Sequence, residues 1–122
     1  MSATRILAVD DSASMRQMVG FALTQAGFDV VEAEDGVVAL AKAKRDRFNA
    51  VVADVNMPNM DGISLIRALR QLPDYRFTPL LMLTTEAGMD KKQEGKAAGA
   101  TGWLVKPFNP EQLIATLRKV LG

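Results

Sequence analysis

The stretch RILAVDDSASMRQMVGFALTQAG, residues 5–27, decides how this chain folds. It opens on an apolar run, Ile6-Leu7-Ala8-Val9, bounded by the acidic turn Asp10-Asp11-Ser12. A strand with no polar face belongs to a parallel sheet covered by helices on both sides. Directly afterwards Met15, Met18, Val19, Ala22, Leu23 and Ala26 fall at i, i+3, i+4, i+7, i+8 and i+11, which makes one stripe on a helix. Strand, acidic turn and amphipathic helix together form the first half of a β-α-β unit.

The unit recurs. Further short apolar runs at residues 28–31, 50–53, 80–83 and 103–105 read as strands, spaced by roughly twenty to thirty residues. Between them Val37, Leu40 and Ala41 begin a second helix, and Leu65, Ile66 and Leu69 mark a third whose N-cap is Asp61. The last helix carries the fullest start signal: Asn109 as N-cap, Pro110 at N1 and Gln112 at N3, followed by Leu113, Ile114, Leu117 and Leu121. Residues 88–99 are the weakest, with glycines at 88, 95 and 99 and only Met89, Ala97 and Ala98 as anchors, so a marginal, mobile helix is expected there. The alternation βαβαβαβαβα predicts a doubly wound α/β fold with a five-stranded parallel sheet and five helices. Right-handed crossovers favour the strand order 2-1-3-4-5, which puts a ligand site beyond the carboxyl ends of strands 1 and 3.

Composition bounds what such a site can do. The 122 residues are 48% hydrophobic and 24% charged, with 15 Lys plus Arg against 14 Asp plus Glu, and they contain neither Cys nor His. One domain over residues 1–122 is expected. Disulfides, thiolate zinc sites, and Cys or His chemistry are excluded. A net charge of +1 offers no footprint for nucleic acid, and the Lys42, Lys44, Arg45, Arg47 cluster reads as a solvated helix face and end. No apolar run suits membrane insertion, and no leader precedes the first strand, so a cytoplasmic location is the expectation.

The strand ends carry the chemistry. Strand 1 runs into Asp10-Asp11, and strand 3 into Asp54-Val55-Asn56-Met57-Pro58. Asp10 and Asp11 can be read as N-caps of the first helix; Asp54 cannot, because no helix starts until after Pro58. Two carboxylates about 5 Å apart repel by roughly 3 kcal/mol at an effective dielectric of 20, so three converging acids call for cations. Mg²⁺ suits Asp10, Asp11, Asp54 and a backbone carbonyl near Asn56. Lys106, at the end of strand 5, supplies a second cation, and Thr84, at the end of strand 4, a hydroxyl. Each has an ordinary alternative, a surface lysine or a strand exit. As a set they suit phosphoryl handling: metal and Lys neutralise charge, Thr donates a hydrogen bond, and a carboxylate accepts the group.

With these motifs in order, the chain resembles the receiver domain of bacterial two-component response regulators, most closely the single-domain, CheY-like chemotaxis type. The resemblance covers the whole chain and rests on Asp10-Asp11, Asp54 with Asn56-Met57-Pro58, Met60-Asp61-Gly62, Thr84 and Lys106-Pro107. It implies a flavodoxin-like sheet with the same strand order, so the two arguments for that order are not independent. It further implies phosphorylation of Asp54 by a sensor histidine kinase, Mg²⁺ held by Asp10, Asp11, Asp54 and the Asn56 carbonyl, and phosphoryl oxygens bound by Thr84 and Lys106. A cis Lys106-Pro107 bond is implied as well.

Trp103 stands where the family usually has a Tyr or Phe switch aromatic. Its alternative is a half-buried edge aromatic, and its bulk departs from the pattern that couples this position to Thr84. Asn56 and Glu86 fall where the family tunes autodephosphorylation. The lysine-rich segment with Lys91, Lys92 and Lys96 is the expected output surface, its alternative being a solvated helix. With the last helix ending at Leu121, output is expected through a partner protein such as a flagellar motor switch component. The rival is a small Mg²⁺-dependent phosphohydrolase of the aspartyl-phosphate type, but Asp54-Val55-Asn56 lacks the second acid of its D-x-D pattern. A phosphorylation-independent binding module would leave the acidic cluster without a use, and a nucleotide site would need a glycine motif that is missing.

Overall fold

The computed structural model describes residues 4–85, 89–106 and 109–122, and for residues 89–91 the backbone alone. Its elements alternate strictly: β1 (Arg5–Val9), α1 (Ala13–Gln25), β2 (Asp29–Ala33), α2 (Gly36–Arg45), β3 (Ala50–Asp54), α3 (Gly62–Arg70), β4 (Leu80–Thr84), α4 (Met89–Ala98), β5 (Gly102–Val105) and α5 (Pro110–Leu121). A 3-10 turn, Pro73–Tyr75, precedes β4. The sheet is parallel throughout, in the order β2-β1-β3-β4-β5. No helix among the described residues is long and apolar enough to cross a membrane.

The two-sided burial inferred from the apolar runs is realised residue by residue. Leu7 and Val9 of β1, Val51 and Ala53 of β3, and Leu80 and Met82 of β4 pack on one face against Ala39, Ala43, Leu65, Ile66, Leu69 and Ala98 of α2, α3 and α4. The alternate residues, Ile6, Ala8, Ala50, Val52, Leu81 and Leu83, pack on the other face against Val19 and Leu23 of α1 and Leu113 and Leu117 of α5. Since a strand turns successive side chains to opposite faces, two cores require both residue sets to be apolar.

Some expected positions shift. β2 covers Asp29–Ala33 instead of 28–31, because an edge strand admits a half-exposed Glu32 side chain while its backbone pairs opposite Ala8. In α2 the buried side is Gly36, Ala39 and Ala43, whereas Val37 is 50% exposed. The Asp35 side chain accepts the Val38 N–H and starts the helix in a phase that turns its small residues inward. In α1 the stripe is narrower than its periodicity suggests, for Met18 lies at its exposed edge. Asp61 and Asn109 cap as expected, the latter in a reciprocal capping box with Gln112. In α4 the close contact comes from Gly95, where any Cβ would run into the Met82 side chain; Gly99, at φ +110°, ends the helix.

Candidate functional site

The carboxyl ends of β1, β3, β4 and β5 meet at one edge of the sheet and bring Asp10, Asp54, Thr84 and Lys106 together. Asp54 is the last residue of β3 and Thr84 the last of β4; both are buried, at 8% and 1% exposure. The apolar strands carry these polar groups into a site they would not enter alone. Asp10, one residue past β1, is 3% exposed, and its N–H continues the sheet by donating to the Ala33 carbonyl at 3.1 Å.

The Lys106 Nζ lies 3.2 Å from Asp54 Oδ1 and 3.3 Å from Asp10 Oδ2, with the lysine side chain only 11% exposed. Its backbone N–H donates to the Thr84 carbonyl at 2.7 Å, which extends the β4–β5 pairing by one residue and sets where the side chain starts. Carboxylate oxygens of Asp10, Asp11 and Asp54 all lie within 4.8 Å of one another, Asp11 from the exposed rim. Three converging hard oxygen donors fit a divalent cation such as Mg²⁺, which takes carboxylates in small numbers and keeps several waters. Burial raises the pKa of the Asp54 carboxyl above its ordinary value; Asp10 and Asp11 add to the rise, while the charge and hydrogen bond of Lys106 oppose it.

The capping alternative for Asp10 and Asp11 does not hold. Ser12 is the N-cap of α1 and accepts the Met15 N–H, while Asp10 Oδ1 instead accepts the Ser12 N–H at 2.9 Å. That bond closes a tight turn that aims the Asp10 carboxylate back toward Lys106. Asn56 sits exposed in the loop after β3, and the three carboxylates converge without its side chain.

Trp103 is half-buried on β5 opposite Met82 and packs on the α2–α3–α4 side. The Lys92 ammonium stands 5.4 Å from its ring centroid, and the two residues line a groove with Gln93 and Lys96. Glu86 and the Lys106-Pro107 peptide lie outside the described residues, as does the side chain of Lys91.

Three supports of the site were not legible from the motifs. Arg16 donates to the Asp10 carbonyl at 2.7 Å. Asp35 accepts from the Asn59 side chain at 2.9 Å and so ties the β2–α2 turn to the loop after Asp54; Asn59 itself has φ +68°. At Gly62 an added Cβ would strike the Asp54 carbonyl oxygen and lie 3.0 Å from Val55 Cα, so only glycine lets α3 start against the end of β3. The glycine in Met60-Asp61-Gly62 is the one signal that pointed to any of these.

Surface grooves of about 310, 320 and 380 Å³ are lined by none of Asp10, Asp11, Asp54, Thr84 and Lys106. The donor set and its placement can therefore bind a cation and present a desolvated carboxylate to an electrophile.

The comparisons with known proteins agree. Residues 6–118 match the family model of the response regulator receiver domain. Chemotaxis protein CheY-3 of Vibrio cholerae is 40% identical over 117 residues, 95% of this chain and 90% of that protein. The structure of V. cholerae chemotaxis protein CheY4 superposes with a TM-score of 0.95 at 57% identity, covering 98% of this chain and 99% of that one. The receiver domain of sensor histidine kinase PA1611 from Pseudomonas aeruginosa, determined with magnesium coordinated in its active site cleft, is 29% identical with a TM-score of 0.92, covering 99% of each chain. The chain spans about half the length of other curated relatives; it covers 50% of response regulator MprA of Mycobacterium leprae at 42% identity over 96% of this chain. By fold, by the placement of its acidic cleft and by these likenesses, the chain belongs to the response regulator receiver domain family of two-component signalling.

Proposed function

We propose that this receiver domain accepts a phosphoryl group on Asp54 from a sensor histidine kinase and thereby changes its affinity for a partner protein in chemotaxis signalling. The observation that carries this reading is Lys106 Nζ held between Asp54 and Asp10 at the strand ends, beside a buried Thr84. A carboxylate oxygen of Asp54 attacks phosphorus, the P–N bond to the kinase histidine breaks, and its electron pair stays on the imidazole, which then takes up a proton. Asp10, Asp11, Asp54 and the Asn56 backbone carbonyl would hold Mg²⁺, which would supply charge neutralisation for the transferring group. Lys106 and Thr84 bind the phosphoryl oxygens, supplying a cation and a hydroxyl where negative charge gathers. Asn56, exposed two residues after Asp54, has a part in setting the lifetime of the acyl phosphate.

Phosphorylation draws Thr84 and Lys106 toward the new oxygens. Thr84 pairs with Val105 across β4 and β5, two residues from Trp103, so the change is delivered to the strand bearing the aromatic. Lys92, Lys96 and Trp103 then form the output surface, together with Lys91 of the same helix. The likeness to V. cholerae CheY-3 and CheY4 supports the chemotaxis assignment, within which the output partner is of the flagellar motor switch kind.

Incubation with acetyl phosphate and Mg²⁺ should add one phosphoryl mass to the protein and none to Asp54→Asn; equal labelling of the two would overturn the Asp54 assignment. Capture of partners with and without beryllofluoride tests the switch, and recovery of the same proteins in both conditions would count against it.

A further inference from the structure

Arg16 lies on α1, outside the acidic cluster, yet it reaches the cluster through the backbone. Its Nη1 donates to the Asp10 carbonyl at 2.7 Å, while its Nε lies 3.3 Å from Glu32 Oε1 on the neighbouring edge strand. Glu32 is held in turn: Lys42 Nζ donates to its carbonyl at 2.6 Å, and Gly20 leaves room for its carboxylate, since a Cβ there would stand 3.1 Å from Glu32 Oε2. The arginine side chain is 19% exposed and that of Glu32 42%. An ion pair this open contributes little to stability by itself. Its geometric effect is larger. The Asp10 peptide is where β1 stops pairing and the chain turns into α1; its N–H is bonded to Ala33, and Arg16 takes its carbonyl. The Asp10 N–H is thus held by β2 and its carbonyl by an arginine anchored on β2, which fixes the backbone from which the carboxylate, bonded to the Ser12 N–H, meets Lys106.

We propose that Arg16, anchored by Glu32, is a positioning residue that orients Asp10 and Asp11 for divalent-cation binding. The inference rests on the reading of the acidic cleft as a Mg²⁺ site. Groups that orient metal ligands without touching the metal typically account for about 10- to 100-fold in affinity. Charge makes the sign of the effect diagnostic. Arg16 is a cation near a cation site, so a purely electrostatic role predicts that removing it tightens Mg²⁺ binding. Positioning predicts the opposite.

The test is a Mg²⁺ titration of the intact chain by calorimetry, with Mn²⁺ binding by electron paramagnetic resonance as a second readout. Unfolding midpoints confirm that each variant is folded. Arg16→Met should weaken Mg²⁺ binding about tenfold despite the lost positive charge. Arg16→Lys keeps the charge but cannot span Asp10 and Glu32 together, and it should also bind less tightly than wild type. Glu32→Gln keeps an acceptor for the guanidinium and should stay within about threefold, well short of the loss in Arg16→Met. Unchanged or tighter binding in Arg16→Met, or wild-type affinity in Arg16→Lys, would overturn the positioning role while leaving the metal site standing. A wild-type protein that binds neither ion would overturn the site itself and this inference with it.

Discussion

Replacing Asp54 by Asn should make the metal-free protein more stable, although it removes the residue on which the proposed function depends. The magnitude follows from the cleft. At the 3.2 Å separation from Lys106 Nζ, the attraction is about 5 kcal/mol at an effective dielectric of 20. Repulsion from Asp10, with oxygens within 4.8 Å, is about 3.5 kcal/mol or more, and exposed Asp11 adds a screened fraction of that. Attraction and repulsion nearly cancel, so the cost of burying the carboxylate decides the sign, in keeping with burial as the largest cause of the raised Asp54 pKa.

Asn is isosteric and still accepts a hydrogen bond from Lys106, which keeps Asp10 as its ion partner. A gain of about 1–2 kcal/mol is expected, since effective penalties for burying an ion run to several kcal/mol and part is returned here by the lost attraction. In urea with EDTA near neutral pH, this corresponds to a midpoint higher by roughly 0.5–1 M. The sign with pH is also determined. An acid whose pKa is raised on folding binds its proton more tightly in the folded state, so wild type loses stability relative to the variant as pH rises through the folded pKa. Below the ordinary value of about 3.9 the two should converge. Mg²⁺ at about one hundred times its dissociation constant should stabilise wild type by about 2.7 kcal/mol and the variant by less. A variant less stable than wild type in EDTA would refute the reasoning, because it would mean that the Lys106 attraction outweighs repulsion and burial together.

Other substitutions probe the supports. Gly62→Ala forces a methyl against the backbone of Asp54 and Val55 and should cost about 1–3 kcal/mol while slowing phosphorylation by acetyl phosphate; wild-type labelling rates would show that the loop yields without moving Asp54. Hydrogen bonds from the Val38 N–H and then from Asn59 hold the Asp35 pKa below its ordinary value, so its contribution to stability is present above about pH 3.9 and is lost as pH falls through the folded pKa. Asp35→Asn should therefore lower the urea midpoint near neutral pH and flatten its acid dependence, and parallel pH profiles for the two proteins would contradict this. Tyr75→Phe strands a buried hydrogen-bonded junction, in which the hydroxyl shares its one proton between the carbonyls of Ala43 at 2.9 Å and Asp46 at 2.8 Å and accepts from the Phe48 N–H at 3.3 Å. It should cost about 1–3 kcal/mol by denaturant titration, with a loss under about 0.5 kcal/mol counting against that role.

Local pattern was enough for the architecture. Strand type follows from Ala50 to Ala53 and Leu80 to Leu83 being apolar at every position, because only a sheet covered on both faces needs that. The caps Asp61 and Asn109 are read from two or three residues, since a cap bonds to N–H groups of the next turn. Asp10, Asp54, Thr84 and Lys106 were legible as a set because strand ends in such a sheet converge whatever their side chains. What local pattern could not supply was phase and contact across distance. Whether Val37 or Ala39 faces the core depends on where Asp35 starts the helix, and the stripe read from Val37, Leu40 and Ala41 had the wrong phase.

The sequence by itself determined a doubly wound sheet with an acidic rim and a lysine opposite it, since periodicity and strand-end chemistry are properties of neighbours along the chain. Only the tertiary structure decided that Arg16 and Glu32 hold Asp10, that Asp35 holds Asn59, and that Gly62 must lack a side chain. Those contacts join residues of different elements and loops, and a hydrogen bond or a clash between them exists only once the two cores have set the elements against each other.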